Sequence, residues 1–129
     1  MSTENTFSII NKTKGKLPRL PFAQMKDSVL GKKYIVSLVF VGKTTSQKLN
    51  FQYRKINKPT DILSFSLSEN EGEIFINPDK ARAKAKEFGR KYDNYLAFLF
   101  IHGLYHLKGL DHGNAMEKAE TKTRRVFNI

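Results

Sequence analysis

Hydrophobic residues recur along this chain at two spacings, and the alternation of these spacings predicts the order of its secondary structure. Runs rich in β-branched and aromatic residues, bounded by polar turns, predict strands at residues 6–11, 33–41, 61–67 and 73–76. Apolar residues at helical spacing, with capping residues or glycine stops, predict helices at residues 20–30, 44–53, 79–90, 94–108 and 114–127. The predicted order is therefore β-α-β-α-β-β-α-α-α.

This order indicates an α+β fold, in which a small mixed β-sheet packs against about five helices. The last two strands are separated by the polar sequence Glu69-Asn70-Glu71-Gly72, which predicts a hairpin. For the helix at 44–53, Thr44 or Thr45 is the predicted N-cap, and Asp93 is the predicted cap of the helix at 94–108. With 129 residues, we expect one domain over residues 1–129.

The helix at 94–108 is apolar nearly all round, so it is predicted to lie buried at the centre of the domain. His102 and His106 are four residues apart and share one helix face, where two imidazole nitrogens can meet one ion. Gly109 can end the helix in the left-handed conformation and return His112 to the same ion. An isolated histidine is more often a satisfied core or surface group, but this spacing favours a three-histidine metal site.

Such a site at the end of a buried helix keeps an open fourth position. We expect one Zn²⁺ per chain, held by three histidines and a water. The chain has no cysteine, which excludes disulfides and thiolate ligands and fits a reducing cytoplasm. The start of the chain lacks a signal-peptide pattern, and no apolar run is long enough for a bilayer. We therefore expect a soluble cytoplasmic protein without a membrane partner.

The charge of the chain is strongly positive and unevenly distributed. The net charge is +11, and residues 1–58 hold 12 of the 23 basic residues but only two of the 12 acidic ones. A basic half beside a nearly neutral half predicts one cationic face, for which nucleic acid is the commonest partner. The plainer interpretation is a solvated basic surface.

The spacing of the three histidines, with glycine three residues after the second, is that of the metzincin peptidases. Those enzymes carry a glutamate directly after the first histidine as general base, whereas this chain has Gly103 there. The missing base argues against a peptidase. Three neutral imidazoles leave the full charge of the ion, which favours an anionic substrate whose phosphoryl oxygen the metal can polarise. Together with the basic half, this pattern points to a phosphodiester.

Four motifs follow one another in the last two thirds of the chain. They are Leu49-Asn50-x-x-Tyr53-Arg54, Lys58-Pro59-Thr60-Asp61-Ile62-Leu63-Ser64-Phe65, Gly72-Glu73-Ile74 and His102-Gly103-x-x-His106-Leu107-x-Gly109-x-Asp111-His112. In this order they closely resemble the signatures of the YbeY family of bacterial endoribonucleases that process ribosomal RNA. Met116 and Glu120 stand at matching spacing in the last helix, so the resemblance covers about residues 47–120. Ser66 replaces the proline that is usual in the family.

The resemblance implies a zinc-dependent endoribonuclease that cuts single-stranded RNA in small-subunit ribosomal RNA 3′-end maturation and ribosome quality control. It implies that His102, His106 and His112 are the zinc ligands, that Arg54 lines the RNA cleft, and that His102 is also needed for activity. The implied partners are ribosomal RNA and the small ribosomal subunit or its assembly factors, and we expect a monomer.

Other residues near these motifs are weaker candidates. Lys55 and Lys58 are expected to bind the RNA backbone together with Arg54. Asp111 is a candidate to orient a metal-bound histidine. Thr60 and Asp61 are candidates for the same supporting role, or they only cap and turn the chain before a strand. The motifs do not identify the general base.

Two alternatives stay open at the level of sequence. The first is a non-catalytic ribosome-assembly or RNA-binding factor with a structural zinc, although structural zinc normally has four protein ligands and only Asp111 could complete three histidines. The second is another zinc hydrolase such as a peptidase, which Gly103 disfavours.

Overall fold

In the computed structural model, which describes residues 6–110 and 113–129, four strands form one mixed sheet. The strands are β1 (Phe7–Asn11), β2 (Ile35–Phe40), β3 (Ile62–Ser68) and β4 (Glu71–Ile76). Their order is β1-β2-β4-β3, where β1, β2 and β4 are parallel and β3 is antiparallel to β4. The predicted hairpin is confirmed, and β3 forms one edge of the sheet.

Five helices complete the described part of the chain and confirm the predicted α+β element order. They are α1 (Phe22–Leu30), α2 (Lys43–Arg54), α3 (Pro78–Glu87), α4 (Tyr92–Leu107) and α5 (Asn114–Val126). The observed bounds of strands and helices lie within three residues of the predicted ones. Within residues 6–110 and 113–129, none of the helices combines the length and the apolar character that crossing a membrane requires.

Two of the predicted helix caps are wrong. The N-cap of α2 is Gly42, so Thr44 and Thr45 lie inside the helix. The chain becomes helical earlier than predicted because the backbone of Gly42 already has the extended conformation of a cap. At the start of α4 the N-cap is Lys91, and Asp93 lies in the first turn. A carboxylate there is favourable near the positive end of the helix dipole, which explains its presence without a cap bond.

The core forms around α4, as predicted from its apolar sequence. Leu96, Phe100, Ile101 and Leu104 are completely buried in this helix. One side of α4 packs against β3 and β4, and its other sides pack against α1, α3 and α5. A helix enclosed in this way holds its side chains rigidly, which favours a precise site near its end.

Gly103 is a point of close approach between α4 and the sheet. A Cβ atom at this position would lie 2.9 Å from both Ile62 Cδ1 and Ser64 Oγ, and 3.2 Å from Ile74 Cδ1. Any larger residue here would require these side-chain ends to shift. The Ser64 hydroxyl also donates a hydrogen bond of 3.3 Å to the Gly103 carbonyl. The end of α4 is therefore fixed against the edge strand β3.

Candidate active site

The two described histidines form a pair on the last two turns of α4. Their Nε2 atoms are 3.1 Å apart, and the ring centroids are 4.6 Å apart with nearly perpendicular planes. Two imidazole nitrogens bound tetrahedrally to one zinc would be about 3.4 Å apart, given zinc–nitrogen distances of about 2.1 Å. The pair of His102 and His106 therefore fits a shared ion after a shift of a few tenths of an ångström.

Glu120 of α5 holds the first of these rings in place. Its Oε1 accepts a hydrogen bond from Nδ1 of His102, and the glutamate is only 7% exposed. With the proton held at Nδ1, the lone pair of Nε2 points toward His106. A carboxylate behind a histidine is the usual support of a metal ligand. Glu120 was not among the predicted site residues, and its only signal in the sequence was its spacing in the last helix.

The third predicted ligand, His112, and the candidate Asp111 lie outside the described residues. The chain leaves α4 as predicted, because Gly109 has a φ of 97° and donates its N–H to the His106 carbonyl at 3.0 Å. Among the described residues, no group of three or more His, Cys, Asp or Glu side chains is placed to hold a metal. The described chain thus supplies two imidazoles, and zinc binding stays a prediction.

A cleft of about 420 Å³ opens beside the histidine pair. Its lining consists of five predicted site residues and two residues of β3, namely Arg54, Thr60, Asp61, His102, His106, Ile62 and Ser64. The structure therefore gathers the end of α2, the start of β3 and the end of α4 around one space. Lys55 and Lys58 are exposed and are not part of this lining, so their role in RNA binding stays a prediction.

The loop between α2 and β3 is attached to α2 by two buried polar side chains. The Ser46 hydroxyl donates to the Thr60 carbonyl at 2.9 Å and accepts from the Thr60 N–H at 2.8 Å. The Asn50 amide donates to the Lys58 carbonyl at 2.9 Å. Both side chains attach the end of the loop at Lys58 and Thr60 to the helix that carries Arg54. The sequence did not single out Ser46, and it showed Asn50 only as part of a motif.

Asp61 joins the cleft wall to two helices. Its Oδ2 accepts a hydrogen bond from the Tyr95 hydroxyl at 3.3 Å and lies 3.4 Å from Lys84 Nζ. Its backbone carbonyl accepts from the Asn77 N–H at 2.9 Å. Burial, reinforced by the negative charge of Asp61, raises the pKa of Tyr95 to about 12. These contacts support the structural interpretation of Asp61, which connects β3 to α3 and α4.

A side chain at the position that follows the first histidine would point at the sheet, where two of the residues that it would meet, Ile62 and Ser64, also line the cleft. As described above, a side chain at Gly103 would meet Ile62, Ser64 and Ile74. A glutamate at this position would have to displace these side chains before it could serve the histidine pair. The geometry therefore supports the argument from sequence against a metzincin-type peptidase.

Comparison with known proteins agrees with the four motifs. The model of the family described as Endoribonuclease YbeY matches residues 5–127. The chain belongs to the YbeY family. Endoribonuclease YbeY of Campylobacter jejuni (strain 81-176) is 40% identical over 116 residues, which cover 84% of this chain and 86% of the relative. Endoribonuclease YbeY of Streptococcus thermophilus (strain LMD-9) is 35% identical over 134 residues, with coverage of 83% and 79%.

A solved structure supports the same fold. The solution structure of TM1509 from Thermotoga maritima superposes with a TM-score of 0.64 at 26% identity, covering 91% of this chain and 85% of that one. The YbeY family match also covers residues 5–46, which lie outside the resemblance carried by the motifs. In this YbeY chain, a pair of imidazoles suited to a cation and a guanidinium suited to an anion line one cleft.

Proposed function

We propose that this chain is a zinc-dependent endoribonuclease that cuts single-stranded RNA, and that it acts in 3′-end maturation of small-subunit ribosomal RNA and in ribosome quality control. Membership of the YbeY family and the name of its relatives support the endoribonuclease activity. The observation that carries the proposal is the convergence of His102 and His106 in the cleft that Arg54 lines.

The metal would be held by His102 and His106, together with His112 from outside the described residues. Zinc bound there would supply a Lewis acid that polarises a phosphoryl oxygen and lowers the pKa of water. The chain's own contribution begins with Glu120, which keeps the proton of His102 at Nδ1 so that Nε2 can act as a ligand.

Arg54 would bind the phosphodiester next to the metal. Its guanidinium offers a planar pair of donors that matches two phosphate oxygens. The residue ends α2, and the bonds of Ser46 and Asn50 to the following loop limit how far it can move. Lys55 and Lys58 are exposed beside the cleft and would add attraction for the RNA backbone.

Cleavage of a labelled single-stranded RNA tests this proposal. His102→Ala should abolish cleavage, and Arg54→Ala should lower the rate about 100-fold, as expected when a donor to the transition state is removed. Lys48→Ala is the matched control, because Lys48 is exposed on the same helix and does not line the cleft. Undiminished cleavage by the His102 variant would mean that a contaminating nuclease is responsible.

Elemental analysis of the purified protein tests the metal separately. We expect about one zinc per chain, and none in a variant in which all three histidines are replaced by alanine. Zinc retained in that variant would contradict the proposed ligands. If the wild-type protein binds zinc and RNA but never cuts the RNA, the alternative of a non-catalytic assembly factor is favoured.

The role in ribosomal RNA can be tested in bacterial cells that lack their own relative. Such cells should accumulate small-subunit RNA with an unprocessed 3′ end. The wild-type chain should restore the mature end, and the His102→Ala variant should not. Full rescue by that variant would show that the function in the cell does not depend on the histidine site.

A further inference from the structure

A second groove, of about 460 Å³, also reaches His102 but has a different lining. One of its walls is the face of α5 from Asn114 to Arg124, which at 1.5 Å per residue corresponds to about 15 Å. The opposite wall includes Arg90 and Phe98. His102 lines both spaces, so the cleft that contains Arg54 and the groove along α5 both adjoin this histidine.

Two arginines contact the same aromatic ring in this groove. The guanidinium carbons of Arg90 and Arg124 lie 4.8 Å and 5.3 Å from the centroid of the Phe98 ring. This ring in turn lies 6.0 Å from the ring of His102. Cation–π contact with Phe98 orients both guanidiniums at the groove. Two positive charges are thus held close to the proposed site of cleavage.

No carboxylate neutralises this pair within ion-pair distance in the part of the chain that the structure describes. Glu117 and Glu120 line the same groove, but Glu120 accepts its hydrogen bond from His102. Burial, and then the charge of Arg124, lower the pKa of Arg90. Both effects mean that the chain holds these two cations together at a cost in stability, which a bound anion would remove.

The hydrogen bonds of the two arginines indicate unused capacity for such an anion. Nε of Arg90 donates to Asn94 Oδ1 at 2.8 Å. Nε of Arg124 is buried and has no hydrogen-bond partner among the described residues, so a phosphate in the groove would have to meet the terminal nitrogens of this guanidinium. A planar guanidinium carries five donors, and a phosphate group accepts two of them in parallel.

We propose that Arg90 and Arg124 together bind one phosphate of the RNA strand, separate from the phosphodiester that lies at the histidines. This inference rests on the proposed function, since it places a strand across His102 from the Arg54 cleft to the groove along α5. A strand is favoured over a small free anion because the groove adjoins a histidine that also lines the cleft, and because it is elongated along α5. The site would require that the substrate extend past the cleaved bond in the direction of α5.

Two neighbouring arginines of α5 provide a matched test. Arg124 lines the groove, whereas Arg125 is exposed and does not. Glutamine at either position removes one positive charge. Affinity for an uncleavable 2′-O-methyl single-stranded RNA should fall about tenfold in Arg124→Gln, as expected for a charge-assisted bond, and less than about twofold in Arg125→Gln. The dependence of log affinity on log salt should lose a slope of about 1 only in the first variant.

Substrate length provides an independent readout. Shortening the RNA by single nucleotides from either end should reveal one phosphate whose removal weakens binding to the wild type, and this step should be absent in Arg124→Gln. Arg124→Lys, which keeps the charge, should recover part of the affinity. Thermal melting of each variant checks folding, and Arg90→Gln repeats the test from the opposite wall if Arg124→Gln does not fold.

The outcomes separate this inference from the proposed function. If the wild type cuts RNA but Arg124→Gln and Arg125→Gln bind it equally well, the phosphate site is refuted and the proposed function stands. If the wild type neither binds nor cuts single-stranded RNA, the proposed function is refuted, and so is the phosphate site that rests on it.

Discussion

Replacing Gly103 by glutamate would create the His-Glu-x-x-His sequence of zinc peptidases, and we expect it to unfold the site and not to produce a peptidase. The position faces β3 and β4, where a Cβ atom would already lie 2.9 Å from Ile62 Cδ1 and Ser64 Oγ. A glutamate would add a charged carboxylate between the helix and the sheet. The variant therefore tests whether α4 is pressed against the sheet at this residue.

The contribution of the Cβ atom alone can be separated with Gly103→Ala. Overpacking of a core contact costs about 1–3 kcal/mol, and the better helix propensity of alanine returns about 1 kcal/mol. Ile62 is only partly buried and can move aside, whereas Ile74 is completely buried. We therefore expect Gly103→Ala to lower the free energy of unfolding by about 1 kcal/mol.

Gly103→Glu should cost much more than the alanine variant. Burying an unpaired carboxylate, together with displacement of the sheet, should bring the loss to at least about 4 kcal/mol. In a chain of this size 1 kcal/mol shifts the melting temperature by about 3–5 °C, so the shift should be at least about 12 °C. Urea unfolding gives the free energy directly, and differential scanning calorimetry gives the melting temperature.

Two results would refute this reasoning. If Gly103→Glu were as stable as Gly103→Ala, the new carboxylate would have to reach solvent, and the helix could not be fixed against the sheet as described. If the glutamate variant cut casein in a zinc-dependent reaction, position 103 would face the histidine pair. Either outcome would remove the structural argument against a peptidase.

Three further predictions concern the support of the site and the fold. Glu120→Gln weakens the bond that orients His102, so zinc affinity measured against a chelating dye should fall about 10–100-fold. Burial raises the pKa of Tyr95 from 10.0 to about 12. The contribution of its neutral hydroxyl to stability is therefore complete below pH 10 and is lost as the pH rises to 12. Urea titrations over this range should show a smaller loss of unfolding free energy in Tyr95→Phe than in the wild type. Lys26 is completely buried and its Nζ contacts Asp27 at 2.9 Å, so Lys26→Ala should lower the free energy of unfolding by about 3 kcal/mol.

Matched controls exist for each of these predictions. Glu117→Gln changes the same helix without touching the bond to His102 and should leave zinc affinity unchanged, and an equal loss would show a general charge effect. Lys33 is exposed, and Lys33→Ala should change stability by less than about 0.5 kcal/mol. If the wild type and Tyr95→Phe lose the same free energy of unfolding above pH 10, groups other than Tyr95 cause the pH dependence.

The sequence predicted those parts of the structure that depend on local pattern. The order of strands and helices, the buried character of α4 and the shared face of His102 and His106 all follow from periodicity within one element. Gly109 ends α4 in the left-handed conformation because that requirement is also local. The motif that holds Arg54 was recognised by resemblance, and the structure places this residue in the cleft.

The parts that could not be predicted depend on contacts between distant segments. Glu120 meets His102 across 18 residues of chain, and Ser46 meets Thr60 across 14. No spacing rule links such residues before the packing of the helices is known. In the sequence, Arg90 and Arg124 are likewise two of many basic residues. Only the structure shows that both contact the ring of Phe98.

Gly103 affects both the chemistry of the site and the shape of the cleft. The absence of a side chain removes the general base of a peptidase, and it also lets α4 lie directly against the edge strand β3. This contact places His102 and His106 beside Ile62 and Ser64, which form the wall of the cleft. A larger residue would separate helix and strand and would open that wall. The residue that argues against peptide hydrolysis is therefore also one that shapes the cleft that Arg54 lines.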